Sequence, residues 1–339
     1  PPYNRDQHPF LVWAMYMIED DIPQQIGQSA VKHAFFTVNS SCSCSGGHIL
    51  WTAESSPNGL ACTDTYSVGN NNSETHLGIR EEVPASTGAW EQCGSMFAPD
   101  ATPPGPCTST ESGSTPDDFE RRLVVDEPKL NTADASFYFE GWYVIRDDIN
   151  IFNTMAHKSV EPTLGTTWQF PSGSHTLGPA IDEWVPPNTH GAMQAHAREA
   201  TSDGHYSVAV KVTPLTGGQY RYVYALMNYD FDRRFRVFSL DIPADTSVTN
   251  LQFLDGDSDG ANDWVASTAD DTLSWTAPAG QAPLWGYMTT FVFEADRAPA
   301  AGMVSLEAND RPEIFTTTVL GMSPDPGLDF EEGFEEPEN

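Results

Sequence analysis

Four stretches of the chain, residues 137–145, 206–212, 220–226 and 235–242, are rich in β-branched and aromatic side chains set in alternation. Such segments fit a pleated, half-buried surface and fit a helix poorly, so each specifies a strand. Between the second and third lies Thr216-Gly217-Gly218-Gln219. Because glycine enters positive φ without steric cost, that run predicts a tight hairpin. Residues 273–276 and 287–293 continue the pattern, with Pro283 and Pro299 at its edges. No internal repeat of solenoid or propeller length is visible. The expected fold is therefore mainly β, with two packed antiparallel sheets forming a β-sandwich.

The first third of the chain has another texture. Residues 8–18 are apolar and aromatic and are followed by Glu19-Asp20-Asp21. Residues 26–38 read as a short helix passing into, or packing beside, a core strand. From 39 to 115 the sequence dissolves into Ser, Gly, Asn and Pro with short apolar islands. A loop region of that length needs a staple or a function. The cysteines, Cys42, Cys44, Cys62, Cys93 and Cys107, all fall inside it. Cys93–Cys107 would close a short Pro/Gly loop and one of Cys42 or Cys44 would reach Cys62, leaving one thiol over; spacing does not fix the pairing. A zinc or copper site from Cys42, Cys44, His48 and Cys62 is the sharper alternative, but Cys-x-Cys lacks the usual finger spacing. The organisation expected is a disulfide-stapled, loop-rich N-terminal region over 1–120, a β-sandwich over 121–323 and an acidic tail over 324–339.

Within the sandwich region, Leu254-Asp-Gly-Asp-Ser-Asp-Gly-Ala-Asn-Asp-Trp264 places Asp255, Asp257, Asp259 and Asp263 at alternating spacing around Gly260. Calcium takes six to eight oxygens, and carboxylates spaced in this way on a sharp turn point several oxygens into one hollow. The position of the bidentate glutamate of a helix-loop-helix calcium site is held by Ala266, so a calcium loop between two strands is expected. The cofactor expected is calcium, in a structural role.

Charge narrows the partners. Forty-eight acidic against sixteen basic residues give a net charge of −32, which repels nucleic acid and anionic membrane surfaces and suits cations and a salty or extracellular medium. No apolar run is long enough to cross a bilayer as a helix, and Pro1-Pro2-Tyr3 has no charged-then-apolar leader. The composition, with four lysines and abundant Gly, Pro, Ser, Thr and Trp, is that of a mature exported chain.

The common catalytic signatures, including the nucleophile elbow, the zinc-protease helix and the phosphate and dinucleotide loops, are missing. Two segments join imidazole to thioether, Met155-Ala-His157 and His190-Gly-Ala-Met-Gln-Ala-His196, the soft pairing that favours copper. The plainer reading makes Met155 and Met193 core fillers and the histidines solvated or hydrogen-bonded; His33 reads as structural as well. Asp182-Glu183 and Asp147-Asp148 invite comparison with paired glycosidase carboxylates, but neighbours on a strand point to opposite faces. Trp142, Trp168 and Trp184 have the chemistry to stack on sugar rings, although a buried Trp in a sandwich core is the commoner fate.

Residues 25–36, 62–70, Leu77-Gly78 with Glu82-Val83, the Asp255, Asp257 and Asp263-Trp264 positions, and Pro283-Leu-Trp-Gly286 with Phe291 and Phe293 together resemble an uncharacterised family of exported bacterial β-rich proteins. The resemblance covers most of the chain and implies export and an Asp-rich calcium-type loop; it implies no activity. One departure is Ala30, where such proteins often carry an aromatic. The C-terminal half also resembles the β-sandwich modules of bacterial surface proteins. Residues 324–339 carry Leu328, Phe330 and Phe334 among seven carboxylates. Their composition predicts disorder in isolation, and docking into a groove of the same chain or a neighbouring copy, near Arg233, Arg234 and Arg236, would order them. The function expected is that of a secreted calcium-binding structural or binding protein of the cell surface or extracellular matrix, associating with itself or with another extracellular protein. A secreted hydrolase or copper-dependent oxidase is the alternative.

Overall fold

The computed structural model describes residues 10–33, 77–78, 80, 85–87, 123–145, 148–256 and 259–325. Strands make up 55% of these residues, which include no α-helix. The chain forms two compact units, one of 1–15, 27–125 and 138–179, the other of 16–26, 126–137 and 180–339.

Ten strands precede residue 180: β1 (Phe10–Glu19), β2 (Ile22–Gln28), β3 (Val31–His33), β4 (Leu77–Gly78), β5 (Val124–Val125), β6 (Ser136–Val144), β7 (Met155–Val160), β8 (Thr163–Leu164), β9 (Trp168–Gln169) and β10 (Thr176–Leu177). Eight of them make one sheet in the order β10-β7-β6-β1-β2-β5, with β3 paired to β1 and β4, while β8 and β9 form a separate ribbon. Asp20 and Asp21, at φ 49° and 62°, form the two-residue turn between β1 and β2. Positive φ at both central positions marks the turn type whose twist matches flanking strands, and aspartate is among the few side chains that tolerate it.

The short helix expected within 26–38, passing into or packing beside a core strand, is not found in the described part, which is extended. Residues 26–28 end β2 and 31–33 form β3, while 34–38 lie outside the described residues. The physical reason is tertiary. Gln25 is 1% exposed, and its amide donates to the Gly286 carbonyl at 3.0 Å and accepts from the Met288 N–H at 2.8 Å. Extended backbone is needed to deliver that side chain, and a buried amide bonded at both ends outweighs a weak local helix preference.

The second unit contains the sandwich. Its strands are β11 (Gln194–Thr201), β12 (Gly204–Pro214), β13 (Tyr220–Asn228), β14 (Phe235–Asp241), β15 (Val248–Leu254), β16 (Val265–Ala269), β17 (Thr272–Thr276), β18 (Tyr287–Ala295), β19 (Pro299–Ala308) and β20 (Ile314–Met322). They pair into two five-stranded antiparallel sheets, β11-β12-β13-β18-β15 and β16-β17-β14-β19-β20. Gly217 and Gly218 take φ 79° and 75° in the β12–β13 hairpin, as the sequence requires.

Aromatic rings fill the space between the sheets. Phe238 of one stacks on Phe291 of the other at 4.3 Å, Tyr222 stacks on Phe293 at 4.8 Å, and Trp275, fully buried, meets Phe291 at 5.3 Å. Burying each such side chain contributes roughly 1.5–3 kcal/mol. The buried tyrosine hydroxyls are satisfied: Tyr222 donates to the Arg297 carbonyl and Tyr224 to the Leu320 carbonyl, both at 2.8 Å.

The outer faces of the two sheets differ. On the first sheet, Ser207, Ala209, Ala225, Met227, Met288 and Thr290 are buried although they face away from the aromatic core. Residues of the 16–26 segment bond to this face: the Thr290 hydroxyl donates to the Pro23 carbonyl at 2.7 Å, and the Tyr16 hydroxyl approaches the Met227 sulfur at 4.0 Å. A strand covered on both sides loses its alternation, which explains the near-continuous apolar run of β13. The second sheet keeps the alternation, because its outer face is half-exposed to exposed. Across it Ser267, Ser274, Ser239, Ser305 and Thr316 stand in register, one from each strand.

Candidate functional site

In the first unit, β1, β6 and β7 are neighbours in the sheet, and one face of them is left half-exposed. Alternation puts Leu11 and Trp13 of β1, Phe139, Gly141 and Tyr143 of β6, and Ala156 and Lys158 of β7 along a groove of about 570 Å³. The opposite positions, Phe10, Val12, Ala14, Trp142, Val144, Met155 and His157, are buried. Gly141 lies beside the Trp13 indole, which a Cβ there would meet at 3.6 Å, an ordinary contact distance, so the ring rests across the neighbouring strand. Phe139, two residues away, is held edge-on by Phe170 at 5.3 Å. The backbone below is fixed as well, since the Trp13 N–H donates to the Ser29 hydroxyl at 2.8 Å and the Tyr143 N–H to the Thr154 carbonyl at 3.0 Å. A concave, mainly apolar site of this size with few polar groups is the usual form of a small-ligand site. Sequence reasoning passed over Trp13, Phe139 and Tyr143. The alternation in residues 10–13 and 137–143 was the available signal, but it does not say which face remains open.

The aspartate loop connects β15 of one sheet to β16 of the other. It is pinned at both ends: the Gln24 amide donates to the Asp255 carbonyl at 2.9 Å, and Trp264, 4% exposed, stacks on Phe253 at 5.8 Å. Within it the Asp259 carboxylate accepts the Ala261 N–H at 3.0 Å and its carbonyl accepts the Asn262 N–H at 3.1 Å, a local turn of the kind aspartate favours. The Asp263 carboxylate lies 3.6 Å from where a Cβ on Gly260 would stand. Asp257 lies outside the described residues. Among the described residues no three His, Cys, Asp or Glu side chains are grouped to hold a metal ion.

The imidazole-thioether segments fall in different units. His157, 2% exposed, sits with Nδ1 at 2.8 Å from the Gly178 carbonyl and edge-on to Tyr138. His196 is fully buried, and its Nδ1 is 2.8 Å from the Val185 carbonyl. Since a carbonyl only accepts, that nitrogen carries the proton and Nε2 holds a bare lone pair, which finds no partner among the described residues. Burial pushes this imidazole down to about 4; the Val185 bond opposes the shift and the nearby Arg198 charge adds to it. Met155 is buried and Met193 packs against the sandwich core, in keeping with core filling.

The remaining candidates are held by partners within the fold, are buried or half-buried, or lie outside the described residues. Asp182 sits in a short 3₁₀ turn, Ala180–Glu183, and grips Arg198 through both oxygens at 2.5 and 2.6 Å. Asp148 accepts the Asn150 N–H at 3.0 Å and the Thr154 hydroxyl at 2.9 Å, and Asp147 lies outside the described residues. Trp142 and Trp184 are each 3% exposed, and the Trp184 N–H donates to the Asp21 carbonyl at 3.0 Å; Trp168 is half-buried in β9. Arg233 is bound by Asp203, Asp310 and Glu313, and Arg236 by Glu307, so neither is an open seat for the acidic tail. Residues 326–339, the zinc-site candidate His48 and all five cysteines lie outside the described residues, among which there is accordingly no disulfide.

These features define an antiparallel all-β protein with a two-sheet sandwich and a separate sheet bearing an aromatic groove. No known protein family's sequence pattern matches the chain, and no curated protein matches it. A solved structure, the collagen-binding domain of the Erysipelothrix rhusiopathiae surface protein RspB, overlaps 58% of this chain and 65% of its own length, at 8% identity and a TM-score of 0.22. The chain thus spans just under two thirds of that domain, and a likeness this slight carries no argument about fold or function. No helix among the described residues is long and apolar enough to cross a membrane.

Proposed function

We propose that the protein is a secreted binding protein of the cell surface or extracellular matrix, whose aromatic groove in the first unit takes the ligand and whose sandwich serves as the scaffold. The observation that carries this reading is the groove itself, where Leu11, Trp13, Phe139 and Tyr143 stay half-exposed on a rigid sheet face. Apolar side chains left on an open concave face cost hydration free energy that ligand burial recovers. The charge of −32 and the strand-rich fold suit an exported chain, and disulfides among Cys42, Cys44, Cys62, Cys93 and Cys107 would belong to the same oxidising compartment.

Calcium bound by Asp255, Asp257, Asp259 and Asp263 is part of the proposal. Its support is positional: a loop passing from sheet to sheet, anchored by Gln24 and Trp264, is where a bound cation would lock the two sheets together. The test of function is capture of the full chain on an array of immobilised extracellular polymers, comparing it with Trp13→Ala. Capture that falls at least tenfold in the variant supports the reading. Capture unaffected by the variant removes the groove from it.

A further inference from the structure

We infer that the groove's ligand is a carboxylate-bearing sugar chain, an inference that rests on the groove being the binding site. The geometry favours sugar rings over a peptide strand. The floor is made of three neighbouring strands of one sheet, β7, β6 and β1, so its main-chain groups serve the ladders. A peptide recognised by strand addition needs a free sheet edge. What the face offers instead is a flat indole lying over Gly141, flanked on β6 by Phe139 and Tyr143. The negative face of an aromatic ring attracts the slightly positive C–H face of a pyranose, as it attracts other positive edges.

The polar groups in the groove select for negative charge. The Lys158 ammonium and the Trp13 indole N–H have no partner among the described residues, and both only donate. His175, exposed at the rim, has none there either. The carboxylate of the set, Glu140, is 6% exposed and alternation turns it to the opposite side of β6 from Phe139 and Gly141. The Thr154 hydroxyl is already used by Asp148 and Ile151. In a chain of net charge −32, an unpaired lysine set among aromatic rings is a local seat for an anion. A carboxylate there gains a charge-assisted hydrogen bond, while the distributed negative charge of the protein is screened beyond about 8 Å at physiological salt.

The test is calorimetric titration of the full chain at physiological ionic strength with short oligosaccharides of galacturonic, mannuronic and glucuronic acid, each beside its methyl ester. The esters keep the rings and remove the charge. The expected result is binding of at least one acid, with its ester about tenfold weaker, as the loss of a charge-assisted contact implies. Lys158→Gln abolishes that difference, Trp13→Ala weakens acid and ester alike by about tenfold or more, and Trp13→Phe, which keeps a ring, restores part of the loss. Unchanged far-ultraviolet circular dichroism and an unchanged melting temperature show that the variants are folded. If no acid binds, or if acids and esters bind equally, the assignment of a carboxylated ligand is overturned. Equal binding that still depends on Trp13 leaves the groove as the binding site, whereas binding indifferent to Trp13 removes the groove as well.

Discussion

His196 gives the sandwich an acid sensitivity that can be worked out from its surroundings. The imidazole is fully buried and neutral, its Nδ1–H is spent on the Val185 carbonyl, and burial lowers it from 6.5 to about 4. In the unfolded chain the same group titrates near 6.5. Between these values the unfolded state takes up a proton that the folded state refuses, so stability falls as pH drops below about 6.5 and the loss is complete near 4. At 1.36 kcal/mol per pH unit the gap is worth about 3 kcal/mol. Above pH 6.5 the group is neutral in both states and contributes no slope. Glu199 acts in the opposite sense, because burial raises its carboxyl above the ordinary value, but it is present in both proteins compared and cancels. The assay is chemical denaturation of wild type and His196→Gln across pH 4 to 7. Glutamine keeps a donor for Val185 and cannot titrate. The wild type should lose about 3 kcal/mol more than the variant over that window. Parallel curves would refute the account of a buried neutral imidazole.

Three further outcomes are expected. Chelation should lower the melting temperature of the wild type and leave Asp257→Ala unaffected, by an amount equivalent to about 2.7 kcal/mol if calcium stands at a hundredfold its dissociation constant; a melting curve indifferent to chelator and to the substitution would remove the metal. Gln25→Leu removes the bond to the Gly286 carbonyl and strands the Met288 N–H, and should cost about 1–3 kcal/mol in denaturant unfolding, the cost of one buried unpaired group; a change below about 0.5 kcal/mol would show that the amide does not hold its segment to the sandwich. Thiol titration of the unreduced, denatured protein should find one free thiol, the remainder of five cysteines after two bridges, whereas five would exclude the disulfides.

The mainly β fold was legible because alternation is a local property. Residues 137–145, 206–212, 220–226 and 235–242 emerge as β6, β12, β13 and β14 with ends shifted by a residue or two, and Gly217-Gly218 turns between β12 and β13. A period of two and a pair of glycines carry their structural meaning wherever they occur. The position of the aspartate loop between two strands was legible for the same reason, its spacing being a property of the loop alone.

Partners distant in sequence were not legible. Residues 22–28 became a strand because Gln25 bonds to Gly286 and Met288, more than 260 positions away, and residues 16–26 belong to the same compact unit as the sandwich while residues 1–15 and 27–33 do not. The partner of Asp182, Arg198, lies sixteen residues on, and the hydrogen bond that the plainer reading gave His196 is made to Val185, eleven residues back; neither partner could be named from the local pattern. The groove was least visible of all. Trp13 and Trp142 are both tryptophans on strands of one sheet, yet Trp142 is 3% exposed and Trp13 faces the open side. Which face of a sheet stays open is set by what other segments cover, and the alternation that defines two faces is indifferent to which is which. The sequence by itself determined that the chain would be strands with turns at fixed places; the tertiary structure alone decided which residues those strands bury and which they present, because burial depends on long-range packing that no local pattern encodes.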